Sequence, residues 1–137
     1  ENKTDNENLD SVNPFTAVSN LEYKFPNNKF ITSLTNTYVA SPSPSATYTK
    51  GVLNRRTGQY DNTNSYIPDA FITTDLVLKY IPTKNFSTDL GIYNIFDTTY
   101  YLWSDIRSNG LIGTDDIAYQ RYAQPGISIK AGFKWRF

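Results

Sequence analysis

The stretch Gly126–Phe137, "GISIKAGFKWRF", alternates in residue type without a break. Ile127, Ile129, Ala131, Phe133, Trp135 and Phe137 are apolar, and Ser128, Lys130, Gly132, Lys134 and Arg136 stand between them. A period of two sends successive side chains to opposite sides of an extended backbone, so the stretch is a β-strand with one apolar and one polar face. No turn and no further strand follow Phe137 in this sequence to help cover that face. The expectation is that the aromatic side of the strand finds some neighbour other than a second layer of this chain.

The same pattern recurs upstream. In "TAVSNLEYKF", Ala17, Ser19, Leu21, Tyr23 and Phe25 share one face, while Val18, Asn20, Glu22 and Lys24 share the other. "PNN" at Pro26–Asn28 signals a tight turn, and "KFITSLTNTYVA" continues as a Thr- and aromatic-rich strand. In "AFITTDLVLKY", Ile72, Thr74, Leu76, Leu78 and Tyr80 oppose Phe71, Thr73, Asp75, Val77 and Lys79. "IPTKN" is a short turn, and "FSTDLGIYN" sets Phe86, Thr88, Leu90 and Ile92 against Ser87, Asp89, Gly91 and Tyr93. Five strands are expected, with no helix. Two long segments, 41–69 and 95–125, carry little periodicity and read as loops.

Composition excludes several functions. Among 137 residues there is no Cys, His or Met, and the formal net charge is zero. Nothing suggests a nucleic-acid surface. Ser-His and Cys-His nucleophile arrangements cannot form without His, so no enzyme is expected. No metal site is expected either, because Asp115 and Asp116 alone fall short of the oxygen ligands that Ca²⁺ takes. No run reaches the roughly 18 apolar residues of a membrane helix. The chain opens on polar "ENKTDNENLDSVNP" without a secretion signal, which reads as a cut or processed product.

The connections are unequal. Short turns (26–28, 81–85) alternate with the long loops, so antiparallel strands carry every short turn at one end and every long loop at the other. Outer-membrane β-barrels have this asymmetry, together with an apolar outer band and aromatic girdles. Tyr23, Phe25, Tyr80, Phe86, Trp135 and Phe137 cluster near the short-turn ends, where a girdle falls. Backbone groups in lipid must pair within the protein, so the sheet has to close into a ring, which five strands cannot do alone. Two other readings stand beside this one: a structural or adhesive barrel element that oligomerises, and a soluble β-sheet binding module.

"LGIYNIFDTTYYLWSDIRSNG", followed by "RYAQPG" and a strand ending in Phe137, resembles the C-terminus of TonB-dependent outer-membrane receptors. Within these it is similar to the haem, haemoglobin, transferrin and lactoferrin receptor family. The matching positions are Asn94, Ile95, Phe96 and Asp97, then Tyr101, Trp103, Ser104, Asp105, Ile106 and Arg107, then Arg121, Tyr122, Pro125 and Gly126. The likeness covers about residues 70 to 137 well and 9 to 40 more loosely. Where the family often continues Pro-Gly-Arg-Asn, this chain has Pro125-Gly126-Ile127-Ser128, so no role passes to an arginine there.

The resemblance implies an all-β fold: the last five antiparallel strands of a 22-stranded transmembrane barrel, with short periplasmic turns and long extracellular loops. It implies a location in the outer membrane of a Gram-negative bacterium and TonB-dependent uptake of haem or iron from a host protein. The plug and earlier strands would lie upstream. Haemoglobin, another haem carrier or transferrin are the host partners it suggests, with haem or iron as cargo and no cofactor held by this segment. Without His, any histidine ligand to haem would lie upstream. TonB would be engaged through the N-terminal region, and Phe133, Trp135 and Phe137 would form the signal read by the barrel assembly machinery. Tyr100, Tyr101, Trp103, Arg107, Tyr119, Arg121 and Tyr122 are the candidate contacts to a host protein, because Tyr, Trp and Arg dominate binding hot spots. The opposing reading is that they pack the loop on itself, and it is favoured for Trp103, Asp105, Arg107 and Arg121. Asp97, Asp105, Pro125 and Gly126 are expected to brace the loop. Tyr48, Arg55, Arg56, Tyr60 and Tyr66 in the other loop are an adaptable contact surface or simply mobile.

Overall fold

Antiparallel pairing converts the alternation into one sheet. The computed structural model describes residues 12–42, 52–53, 60–61, 67–108 and 119–137, with backbone alone for 52–53, 60–61 and 107–108. In chain order the elements are β1 (Thr16–Lys24), β2 (Phe30–Val39), β3 (Val52–Leu53), β4 (Tyr60–Asp61), β5 (Phe71–Thr83), β6 (Phe86–Tyr93), α1 (Trp103–Ser108) and β7 (Ser128–Trp135). Five of them make a sheet in the order β1-β2-β5-β6-β7, every pair antiparallel. This is the expected fold class, with strands of 8 to 13 residues.

Two expectations need correction. The 41–69 loop, read as featureless, contains the paired strands β3 and β4, each too short to show an alternation. The 95–125 loop contains α1, whose six residues fall below the window in which a helical period is visible. Contacts divide the chain into two units: the sheet (16–39, 71–99, 125–137) and the segments 1–15, 40–70 and 100–124.

Register unites the apolar faces across the sheet. Leu21 pairs with Leu34, Leu34 with Leu76, Leu76 with Ile92, and Ile92 with Ile129, so one apolar row crosses all five strands. The adjacent row is Tyr23, Thr32, Leu78, Leu90 and Ala131. On the reverse face lie Glu22, Ser33, Val77, Gly91 and Lys130, then Lys24, Ile31, Lys79, Asp89 and Gly132. There Asn20 donates its amide to Ser33 Oγ (2.8 Å) and Thr35 Oγ1 (2.7 Å), tying β1 to β2.

The apolar face is bare. Leu21, Ile72, Ile129, Phe133 and Trp135 are exposed, and Phe133 keeps 82% of its surface accessible. The buried hydrophobic side chains among the described residues, Trp103 and Ile106, belong to α1 and not to the sheet. The described residues put no second layer over this face.

At the short-turn end the aromatics pack on one another. Phe30 stacks on Tyr80 (centroids 4.5 Å apart, 17° between planes), while Phe25 meets Tyr23 and Phe30 edge-on and Phe86 meets Trp135 edge-on at 5.7 Å. Both turns are tight. Asn28 adopts φ 55° and donates its N–H to Phe25 O (2.8 Å), and Lys84–Asn85 join β5 to β6 beyond a register shift between Tyr80 and Thr83.

One polar pair interrupts the apolar face: Thr74, 5% exposed, donates from Oγ1 to Asn36 Oδ1 at 2.8 Å. Removing one partner of such a pair strands the other, whereas replacing both by apolar groups is nearly neutral. Thr74→Val is therefore expected to destabilise the folded protein by about 1–3 kcal/mol, with Thr74→Val/Asn36→Leu recovering most of the loss. Urea midpoints of the three proteins in the same detergent or vesicle system check this.

Candidate functional site

The 95–125 loop has to leave β6 and return the chain to β7 in register. Two residues with left-handed backbone start it, Asn94 at φ 51° and Asp97 at φ 52°. Asn and Asp are the non-glycine residues that tolerate this region best. Asp97 N–H donates to Asn94 O (2.9 Å), closing the "NIFD" turn.

Both side chains then act on backbone. Asn94, 4% exposed, accepts the Thr98 N–H at Oδ1 (2.9 Å) and donates from Nδ2 to Thr98 O (2.9 Å) and Pro125 O (3.4 Å). Its own N–H donates to Asp75 Oδ1 (2.8 Å), and Ile95 N–H donates to Thr74 O (2.9 Å), which anchors the turn on β5. Asp97 Oδ1 accepts the N–H of Ile127 (2.8 Å), the residue that leads into β7. A methyl group at Gly126 would collide with that carboxylate oxygen, so the motif's Gly126 leaves room for the Asp97 side chain.

Within 100–124 a second set of bonds holds the loop. Tyr101 forms an isolated antiparallel bridge with Ala123, and Gln124 N–H donates to Tyr100 O (2.9 Å). Gln124 Nε2 donates to Asp105 Oδ2 (2.8 Å). Tyr101 and Tyr119 meet edge-on at 5.4 Å, and a turn with Tyr122 N–H on Tyr119 O (2.9 Å) precedes the bridge.

The expected contact residues thus fall into different positions. Trp103 is buried, so its ring is not at the surface. Tyr100, Tyr101, Tyr119 and Tyr122 are half-buried, and Arg121 is exposed. The Arg107 side chain lies outside the described residues, as do Tyr48, Arg55, Arg56, Tyr66, Asp115, Asp116 and the side chain of Tyr60. Of the residues expected to brace the loop, Asp97, Pro125 and Gly126 meet around Asn94 and Ile127, while Asp105 bonds to Gln124. Gln124 was not singled out from the sequence. Its only signal was its place immediately before Pro125-Gly126.

Comparison with known proteins agrees with the resemblance read from these motifs. No family model matches the chain. It is 27% identical over 136 residues to "Hemoglobin-binding protein A" of Haemophilus influenzae, covering 94% of this chain and 13% of that protein. It is 24% identical over 136 residues to "Hemoglobin and hemoglobin-haptoglobin-binding protein" of Haemophilus ducreyi, covering 94% of this chain and 14% of that one. The chain therefore spans about an eighth of the length of such relatives. Among solved structures, the copper transporter OprC superposes on all of the chain with a TM-score of 0.67 at 17% identity, over 19% of its own length. The FrpB iron transporter of Neisseria meningitidis matches 89% of the chain with a TM-score of 0.61 at 18% identity, over 16% of its length. The five-stranded sheet has the fold of the C-terminal barrel strands of such transporters.

Asp97→Ala frees the Ile127 N–H and removes the carboxylate from the turn, and Gly126→Ala pushes the same carboxylate aside. Each is expected to cost about 1–3 kcal/mol. The double variant should cost little more than either alone, since both disturb one interaction. A double-mutant cycle on unfolding free energy measures this, and additive losses would contradict it.

Proposed function

We propose that the chain is the C-terminal stretch of an outer-membrane receptor that takes up haem or iron from a host haem- or iron-carrying protein by TonB-dependent transport. The observation that carries this reading is the apolar row Leu21–Leu34–Leu76–Ile92–Ile129, backed by a polar face and covered by nothing among the described residues. Hydrocarbon is the medium that leaves such a face without penalty, and it admits sheets only when the strand edges are paired. The names of the relatives, which bind haemoglobin and haemoglobin–haptoglobin, support host haemoglobin as the partner.

On this reading β1 and β7 pair with further strands of a 22-stranded barrel, and a plug and a TonB-contacting segment precede them. Phe133 and Trp135 face lipid, and Phe137, fully exposed after β7, belongs to the signal that the assembly machinery reads. Tyr100, Tyr101, Tyr119, Arg121 and Tyr122 contribute to the extracellular surface, where half-buried Tyr rings offer area at little entropic cost. Haem or iron is cargo here.

The decisive experiment is capture of haemoglobin by the full-length protein in detergent, with apohaemoglobin, transferrin and free haem as competitors. Haemoglobin retained on the receptor supports the reading, and no capture by a folded protein overturns the choice of partner. Arg121→Ala/Tyr122→Ala is expected to weaken capture about tenfold, as truncating two interface anchors does. Membrane orientation has its own check. Leu34→Arg, mid-row on the apolar face, should cost roughly 2–4 kcal/mol in a vesicle-reconstituted barrel, whereas Ser33→Arg on the reverse face should cost far less.

A further inference from the structure

On the polar face at the short-turn end is a cavity of about 220 Å³ lined by Lys79, Lys84, Lys134, Arg136, Asn85 and Ser87, with Ile81 and Phe86 completing its wall. Strand pairing assembles it: Ser87 sits opposite Lys134 on the β6–β7 ladder, Lys84 and Asn85 form the β5–β6 turn, and Arg136 N–H donates to Asn85 O (2.8 Å). Four formal positive charges therefore line one small concavity of a chain whose net charge is zero.

Among the described residues these four cations form no ion pair. Among the described residues the ion pair formed is Lys24 with Glu22 (3.3 Å), on β1. The nearest acid in register is Asp89, opposite Lys79 on β5 and Gly132 on β7. Its carboxylate leans over Gly132, where an added Cβ would stand 3.0 Å from Oδ2, and it makes no ion pair with any of the four cations. Lys130, the next cation along β7, lies 5.0 Å from the Tyr93 ring centroid. The cavity is lined by side-chain donors (three ammonium groups, a guanidinium, an amide and a hydroxyl), with the Asn85 amide oxygen and the Ser87 hydroxyl as the side-chain acceptors.

We propose that this cavity binds an oxyanion carrying two phosphate groups. A single phosphate would leave about two of the four charges unmatched, whereas a diphosphate balances them, and a guanidinium fork beside flexible ammonium groups suits phosphate oxygens. A soluble diphosphate supplies this chemistry, and the polar face that holds the cavity is the one a barrel turns away from lipid. The site does not depend on which cargo the receptor takes.

The test is calorimetric titration of inorganic pyrophosphate into the full-length protein in detergent, at low and moderate salt. Saturable binding is expected that weakens as salt rises, with Lys134→Gln/Arg136→Gln weakening it by at least about tenfold. Lys79→Gln, away from the chain end, is expected to act in the same direction, while Lys24→Gln leaves binding unchanged. Folding of each variant is checked by resistance of the barrel to SDS at room temperature. Equal weakening by Lys24→Gln, or no saturation at millimolar pyrophosphate, overturns the proposal. Haemoglobin capture by the same preparation separates the two readings, since loss of one leaves the other standing.

Discussion

Register is the constraint on which the sheet depends. Side chains alternate with a period of two, so slipping any strand by one residue would move its apolar set to the polar face. Five strands keep Leu21, Leu34, Leu76, Ile92 and Ile129 in one row only because every pairing is matched to the alternation on both sides. Hairpins secure two of those matches locally, through the Phe25–Phe30 closure and the Lys84–Asn85 turn. The pairing of β6 with β7 has no such help, because the chain travels through 94–127 between them.

The Asn94–Asp97 turn supplies what a hairpin would. Asn94 reaches forward to Pro125 and Asp97 to Ile127, so the two ends of a long excursion are held to the same four-residue turn. Pinning the loop's ends in this way fixes where it leaves and rejoins the sheet, and loops held on a rigid scaffold are where binding residues commonly sit. Near the strands, small residues answer to their neighbours. The Tyr93 ring lies over Gly91, where a Cβ would come within 2.6 Å of it, and Lys130 caps the ring from β7. Gly91 is thus the residue that lets an aromatic lie flat along the polar face.

Much of this was legible because β-strands of about ten residues write their facing directly into the sequence. The faces read for 17–25, 72–80 and 86–92 are those found, and the Asn94–Asp97 and Pro125–Gly126 motifs are the residues that meet. What escaped has a common cause. The strands β3 and β4 and the helix α1 are too short for their periods to repeat visibly, and the bond from Gln124 to Asp105 joins residues 19 apart with no shared motif. Trp103, for which packing of the loop was the favoured reading, is buried. Its residue type suits a contact surface as well as a loop core, and only packing separates the two.

The two faces of the sheet make opposite demands, and together they narrow what can surround it. The apolar face carries Phe133 and Trp135 in the open and needs a medium that does not compete for hydrogen bonds. The polar face carries the four cations that line the short-turn cavity, which hydrocarbon would penalise severely. The sheet's free edges, on β1 and β7, present rows of backbone donors and acceptors that need strand partners wherever water is excluded. A soluble sandwich satisfies the first demand only with a second layer, and the described residues provide none. A closed ring with lipid outside and water or polar protein inside satisfies all three at once.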